Sequence, residues 1–587
     1  MRILTIHADF IEFEAKKKAL KSASEVEEGK KRVEECLVVF TAVEKRDEAN
    51  IPKVIERYVQ EVKNISLQVA TKTIVLYPYA HLSSSLSSPK VAEDFLQQAE
   101  KPLLEQKYKV TTAPFGWYKS FTLSCKGHPL SELSREFSVG LAGEKPEQKV
   151  VEKEIVEKEA PFNREHALQQ LSKIKMSAER APGDLKSNVE LGRELDLYVV
   201  SEVVGGGLPL LTPKGSTIKR ELERFIVDEE LKRGYIHTDT PIMAKSDLYK
   251  ISGHWDHYKD NMFTLKIGQE MFALRPMTCP FQFVIYKSKS RSYKELPLRY
   301  AEIASLFRHE KSGELMGLTR LRQFTLADAH VICRPDQLEV EFSKVVDLIQ
   351  FVTKTLGLHD LWYRFSKWDP ANKEKYIDDP QAWERTEGAM KNILDKLKLK
   401  YIEAANEAAF YGPKLDIQYK NVFGKEDTLL TVQIDFAGPE KFDLSYVDEA
   451  GKQQRPMLIH RSSLGCFERT MAYLLEKTQG KLPLWLSPVQ VKIVTVTDRN
   501  NSFAQEIFSL LQQQRIRVEL DDRTETIGKK VREASLERVN YILTIGDKEV
   551  ESGKLAVKPR DGEVQFGVEI SQFLAALRDE IAQKTKL

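Results

Sequence analysis

Long apolar runs are missing from this chain: no stretch approaches the roughly 18 residues that a membrane-crossing helix needs, so a membrane association is not expected. The beginning, MRILTIHADF, has a strand pattern and lacks both the apolar core and the small-residue cleavage site of a secretory signal, which points to a cytoplasmic location. Cysteine is scarce. The five residues at 36, 125, 279, 333 and 466 are odd in number, scattered and without a C-x-x-C pair, so a disulfide framework is not expected. Net charge is only +2, and any nucleic acid must therefore be held by local patches rather than by the field of the whole molecule. Internal repeats and low-complexity tracts are absent. A Walker-type phosphate loop is absent too, because Gly205-Gly206-Gly207 is followed by LPLLTPKG with no G-K-[ST].

What is present describes a globular chain of several domains: 587 residues, 42% hydrophobic and 30% charged, exceed what one core organises. Residues 1–138 carry four strand patterns, RILTIHADFIEFEA, CLVVFTAVEK, TIVLYPYA and KSFTLSCK, with helical spacing at 51–70 and 91–106. This is a compact α/β unit. Polar side chains gather at its strand ends and turns: His81, Tyr118, Lys119, Cys125, His128 and Glu132. Residues 139–190 are a charged linker, GEKPEQKVVEKEIVEKEAP, followed by a polar helical connector. From 191 to 487 the chain mixes helices with longer strands, including an amphipathic helix expected at 216–233 that passes into a strand reaching Pro241. Residues 488–587 return to alternating strands (VKIVTVT, RIRVEL, YILTIG, LAVKPR) and helices at 501–514, 527–538 and 569–584.

The stretch from Arg299 to His330 reads as strand, loop, strand, turning at Ser312-Gly313. It sets several arginines on what the alternation predicts is a sheet face. A guanidinium on a rigid element grips phosphate oxygens bidentately at any working pH. The same arginines also read as cross-strand partners of Glu302, Glu310 and Asp328, and this stretch alone leaves both readings open. Cys333 lies three residues from His330 and so falls on the opposite strand face, whereas Asp328 shares the His330 face.

The run FRHE, a glycine-containing loop and TRLRQF resemble motif 2 of the class II aminoacyl-tRNA synthetases, and Leu464-Gly465 with Phe467-Glu468-Arg469 resembles motif 3. RPMTCP at 275–280, DAH ending at His330 and IHRSSLG from Ile459 are similar to the threonyl-tRNA synthetases. The first unit resembles the archaeal N-terminal editing domain of that family, whose fold is similar to the D-aminoacyl-tRNA deacylases, and the last resembles the anticodon-binding domain. The fold class implied is α/β and α+β, multidomain: a deacylase-like α/β domain, an antiparallel-sheet catalytic core and an α/β anticodon-binding domain.

The resemblance implies ligation of threonine to tRNA(Thr) through a threonyl-adenylate, in a homodimer, with Mg2+ accompanying ATP and with one Zn2+ held by Cys279, His330 and His460, three N/S donors that leave open the fourth position of a catalytic zinc. Arg308, Arg469 and Lys414 are then the catalytic candidates. Arg308, Glu310, Arg320, Phe324, Gln433 and Arg469 are the ATP contacts, and Asp328, Tyr411, Met277 and Gln433 the threonine contacts. His81, Tyr118, Lys119, Cys125, His128 and Glu132 are carried over as the pocket that hydrolyses Ser-tRNA(Thr). Arg523, Glu549 and Lys558 are candidates for reading the anticodon. The helix and strand before Pro241 resemble motif 1, which implies the dimer interface. Two departures from bacterial relatives are Phe281-Gln282 after the cysteine and Leu326-Ala327 ahead of Asp328; Trp117 is larger than the aromatic expected there. Other readings are a prolyl or seryl ligase, and a synthetase-like regulator that binds without ligating. Retention of Arg308, Arg469 and the Cys-His-His trio argues against the regulator.

Overall fold

The computed structural model describes residues 1–20, 23–26, 29–83, 85–126, 131–136, 164–165, 168, 181 and 183–584. The chain divides into two compact units, Met1–Lys158 and Glu159–Leu587. Most of the expected linker, and His128, lie outside the described residues. No helix among the described residues is long and apolar enough to cross a membrane.

In the first unit a six-stranded sheet runs Lys109–Thr112, Thr73–Pro78, Lys31–Ala42, Arg2–Lys18, Trp117–Cys125, with Glu132–Glu136 also paired to Arg2–Lys18. Arg2–Lys18 is the organising strand: alternate residues, Ile3, Ile11 and Phe13 among them, are buried, and the polar Thr5 and His7 are buried with them. The helices Ile51–Gln68 and Pro89–Glu105 start at Asn50 and Ser88 caps, each followed by an early proline, and bury Val54, Tyr58, Val62, Phe95 and Leu103 against the sheet. The strands at 109–112 and 132–136 were not legible in the sequence, being short and polar.

The second unit is built on an eight-stranded sheet. Its order is Tyr401–Ala404, Trp362–Ser366, Lys414–Lys420, Glu426–Asp435, Met457–Cys466, Gln323–Cys333, Leu298–Phe307, Ile236–His237. It is antiparallel through its centre and parallel at its two edge pairs. One face is covered by the helix Leu338–Thr355, whose Phe342, Val345, Ile349 and Val352 follow helical spacing into the core, and by Phe467–Thr478. Met457–Cys466 is buried along nearly its whole length, as a central strand covered on both faces must be. Gly465 takes φ +75°, and a Cβ there would lie 2.3 Å from the Leu429 carbonyl; only glycine lets this strand pass so close to its neighbour and turn into the helix carrying Arg469.

Three sequence expectations are revised. The amphipathic helix begins earlier, at Pro213 behind a Thr212 cap, and the strand after it is only Ile236–His237. Arg308, Arg320 and Arg322 do not sit on a sheet face: the strands end at Phe307 and resume at Gln323, and a tight turn bridging Met316 and Arg320 holds the arginines at the strand ends. The last region carries a further short helix, Asp547–Ser552, beyond the three expected there. The last sheet runs Val518–Asp521, Val491–Thr495, Tyr541–Ile545, Leu555–Pro559, Gln565–Val568, its outer strand also unforeseen.

Phe342 is fully buried beneath the central sheet. Phe342→Ala should cost about 3 to 5 kcal/mol of the stability of the second unit, measured by denaturant unfolding, while leaving the unfolding of the first unit unchanged. A loss under about 1 kcal/mol would contradict the packing described.

Candidate active site

The register of the central sheet aligns one row of side chains across four neighbouring strands: Gln433 opposite His460, His460 opposite His330, His330 opposite Tyr300. Paired residues in a ladder share a face, so the two histidines meet edge to face with ring centroids 4.6 Å apart. Cys279 reaches them from the first turn of the helix Cys279–Lys287. One donor atom from each of Cys279, His330 and His460 lies within 4.8 Å of the others, and all three residues are buried.

Each histidine has one nitrogen already engaged. His330 Nδ1 is 2.6 Å from Gln282 Oε1, and His460 Nε2 is 2.8 Å from Asp435 Oδ2. Asp435 Oδ1 also accepts the Ala437 and Gly438 amides at 2.8 Å, which fixes the carboxyl group that His460 Nε2 meets through Oδ2. Such partners fix ring orientation around metal ions. Burial holds the His330 imidazole neutral and pushes the Cys279 thiol up, so a cation entering here displaces the thiol proton. The donor set fits zinc, and all three residues border an open cavity where a fourth ligand can approach. Cys333 is buried in the core behind the sheet, as its spacing from His330 predicts.

That cavity, about 370 Å³, is lined by the metal trio and by most of the other residues singled out in the sequence. Near the trio lie Met277, Tyr411, Gln433 and Asp328. The Tyr411 hydroxyl bonds to Gln433, and its ring lies 5.2 Å from that of His460. Asp328 stands 4.0 Å from His330 Nε2; burial raises its pKa, against the opposing pull of His460 and Arg461. At the other end lie Arg308, Glu310, Arg320, Phe324 and Arg469. The Arg308 guanidinium packs over Phe324 and Tyr258 at 5.1 and 5.8 Å, and its buried Nε has no hydrogen-bond partner among the described residues. A half-buried cation with an unfilled donor fits an anion in the cavity. Arg469 is braced by the Thr428 and Thr319 carbonyls at 2.7 and 3.1 Å, and Arg320 by Glu310 at 2.9 Å.

Lys414 is not brought into this lining; its ammonium is 3.1 Å from Asp416, which Ser366 and Arg364 also contact. Sequence reasoning missed Gln282 and Asp435. Asp435 was detectable, since it follows Gln433 by two residues on one strand and so shares its face. Gln282 had been counted only as a departure. Of the other departures, Leu326 lines the cavity, Ala327 is fully buried in the core, and Phe281 packs on Tyr249. His254 borders the cavity but stands outside the metal set, its ring against Phe410 and Tyr411.

The first unit has its own cavity, about 410 Å³, lined by Tyr118, Lys119 and Trp117 together with Thr41, Tyr77, Tyr79 and Phe121. Desolvation lowers the Lys119 ammonium to about 8; it donates to the Pro114 carbonyl at 2.7 Å and lies 5.0 Å from the Tyr77 ring. Cys125 and Glu132 do not join that lining. Six residues along one strand put Cys125 on the order of 20 Å from Lys119, and Cys125 pairs with Ala8 while Glu132 pairs with Ile6. His81 lies in the short helix Ala80–Leu82. In the last region Arg523 is tied to Asp521 and Glu533, at 2.6 Å each, and Glu549 accepts the Gly546 amide at the start of its own helix, which gives it a structural task. Lys558 lies on the strand Leu555–Pro559 opposite Ile542.

Residues 1–137 match the profile of the archaea-specific editing domain of threonyl-tRNA synthetase, 263–478 that of the class II tRNA synthetase core domain (G, H, P, S and T), and 490–580 that of an anticodon-binding domain. Threonine--tRNA ligase of Clostridium botulinum is 56% identical over 401 residues, 68% of this chain and 62% of that protein. Threonine--tRNA ligase of Staphylococcus carnosus is 47% identical over 414 residues, 70% of this chain and 64% of that protein. The chain thus spans a little under two thirds of the length of these curated relatives. The crystal structure of the RNA-binding domain of threonyl-tRNA synthetase from Cryptosporidium parvum superposes with a TM-score of 0.64 at 33% identity, over 67% of this chain and 98% of that one. With matched profiles along its length and a likeness that takes in nearly all of the Cryptosporidium structure, the chain belongs to the threonyl-tRNA synthetase family of the class II aminoacyl-tRNA synthetases.

Proposed function

We propose that the chain ligates threonine to tRNA(Thr) and hydrolyses the seryl product of its own errors. The observation that carries this reading is the single cavity bordered at one end by the Cys279, His330, His460 trio and at the other by Arg308 and Arg469. Domain limits are taken at 1–138 for editing, 139–190 for the connector, 191–487 for ligation and 488–587 for the anticodon. The enzyme works in the cytoplasm as a homodimer joined through the helix Pro213–Lys232 and the segment to Pro241.

In the first step the threonine carboxylate attacks the α-phosphate of ATP, which brings its Mg2+, and the α–β phosphoanhydride bond breaks to release pyrophosphate. Arg308, desolvated beside Phe324, stabilises the charge that develops on the phosphate. Phe324 stacks on adenine, Glu310 accepts its amino group, and Arg320 and Arg469 hold the triphosphate tail. Cys279, His330 and His460 would hold one zinc, which when bound supplies a Lewis-acid position for the amino and hydroxyl groups of threonine. Asp328 faces the amino group, and Tyr411 and Gln433 close the same end. In the second step the terminal ribose of tRNA attacks the adenylate.

Serine offers the same two polar groups as threonine and lacks one methyl, whose exclusion is worth only about 1 to 3 kcal/mol, or roughly 10- to 200-fold. A second sieve is therefore required, and the aromatic cavity around Lys119 provides it.

Arg308→Ala should abolish adenylate formation, read as ATP–pyrophosphate exchange, while tRNA binding in a gel-shift assay is unchanged; wild-type exchange in that variant sinks the assignment. Deletion of residues 1–138 should leave threonylation largely intact and let Ser-tRNA(Thr) accumulate by about tenfold or more. No excess of the seryl product would remove the editing role. Lys119 is cationic below about pH 8 and neutral above it. The part of Ser-tRNA(Thr) deacylation that Lys119→Ala removes should accordingly fall as pH rises through about 8, and a part that grows with pH would contradict a role for the ammonium.

A further inference from the structure

A chain of hydrogen bonds runs away from His330 into a buried ion pair that the proposed reaction does not use. His330 Nδ1 meets Gln282 Oε1 at 2.6 Å; Gln282 Nε2 donates to Thr238 Oγ1 at 2.9 Å; Thr238 Oγ1 lies 3.1 Å from Glu302 Oε2 and 3.3 Å from the Ala301 carbonyl. Glu302 also receives Arg275 Nη1 at 2.7 Å and the Thr240 amide and hydroxyl. Gln282 is fully buried, and Arg275 and Glu302 are each 3% exposed.

The direction of every link follows from which groups can donate. Glu302 is paired with Arg275 and takes the Thr240 amide and hydroxyl, and a carboxylate so placed only accepts. The Ala301 carbonyl only accepts as well, so the single Thr238 hydroxyl proton points toward Glu302 or Ala301 in either case, and Thr238 must accept from Gln282. The Gln282 amide is then turned with its NH2 toward Thr238 and its oxygen toward His330. That oxygen accepts only a proton carried on Nδ1. Rotating the amide by half a turn would set its NH2 against His330 Nδ1 and move the ring proton to Nε2, and Thr238 would have to abandon its acceptor.

We infer that Gln282, Thr238 and Glu302 form a directional relay whose task is to hold the His330 proton on Nδ1 and leave Nε2 bare as a metal ligand. Its metal consequence rests on the zinc reading above; the position of the proton does not. The same Glu302 anchors Arg275, four residues before Cys279, so one buried carboxylate positions two of the three ligands. Gln282, Thr238 and Glu302 are positioning residues, and none of them lines the cavity.

The test uses the full chain and its Thr238→Val, Thr238→Ser and Gln282→Met variants. Solid-state 15N NMR of the zinc-free, histidine-labelled protein, with the His330 signal found by difference against His330→Asn, should show the proton on Nδ1 in the wild type and the Ser variant. A mixture of tautomers is expected in the Val and Met variants. Zinc affinity, measured by chelator competition, should fall roughly 10- to 100-fold in Val and Met and be restored in Ser. Wild-type His330 protonated on Nε2, or Val and Met variants that keep both the Nδ1 proton and wild-type affinity, would overturn the relay. A wild type that takes up no zinc would refute the metal reading, and the His330 proton would still decide the relay.

Discussion

Everything at the candidate active site depends on the register between Gln323–Cys333 and Met457–Cys466. Antiparallel pairing sets His330 directly opposite His460, and the next strand sets Gln433 beside them. Because side chains alternate, a slip of one residue in either strand would send one histidine to the core face and dismantle the donor set. The register is held by burial: Val331, Ile332, Cys333, Leu458 and Ile459 leave almost no surface exposed, so the apolar neighbours of the histidines pin them in place.

On that frame the two ends of the cavity obey opposite electrostatic rules. The metal end is desolvated, which keeps His330 neutral and makes the Cys279 thiol a poor acid until a cation enters. The arginine end keeps its charge because a guanidinium does not deprotonate, and two carbonyls orient the Arg469 donors without neutralising them. Beside the histidines stands Asp328, drawn toward protonation by burial and away from it by His460, Thr278 and Arg461. A substrate bearing an ammonium at one end and meeting a polyphosphate at the other is complementary to this gradient.

How much of this could be read from sequence follows the range over which each signal acts. The major strands and the long helices were legible because periodicity is local; the strand at 132–136 was not, being short and polar. The faces of Asp328, His330 and Cys333 were legible from alternation alone. Grouping Cys279 with the two histidines was not, since the register and the helix at Cys279 bring them together, and only resemblance to a family supplied it. Strand geometry also corrects resemblance: Lys119 lines its cavity while Cys125, on the same strand, lies at the far end. The arginines taken for strand residues stand in the loop between two strands, where a turn around Met316 and Arg320 overrides the apparent alternation. Gln282 shows the reverse error, a residue set aside as a departure that contacts a ligand directly.

In the function proposed above, one cavity selects an amino acid by its amino and hydroxyl groups and activates it with ATP. The most direct test is ATP–pyrophosphate exchange by the purified full chain across the amino acids. Threonine should support the fastest exchange, serine should follow at a rate lower by roughly 10- to 200-fold, and valine should stay at background because it offers no hydroxyl. Exchange with valine at the serine rate, or with proline in place of threonine, would contradict the account.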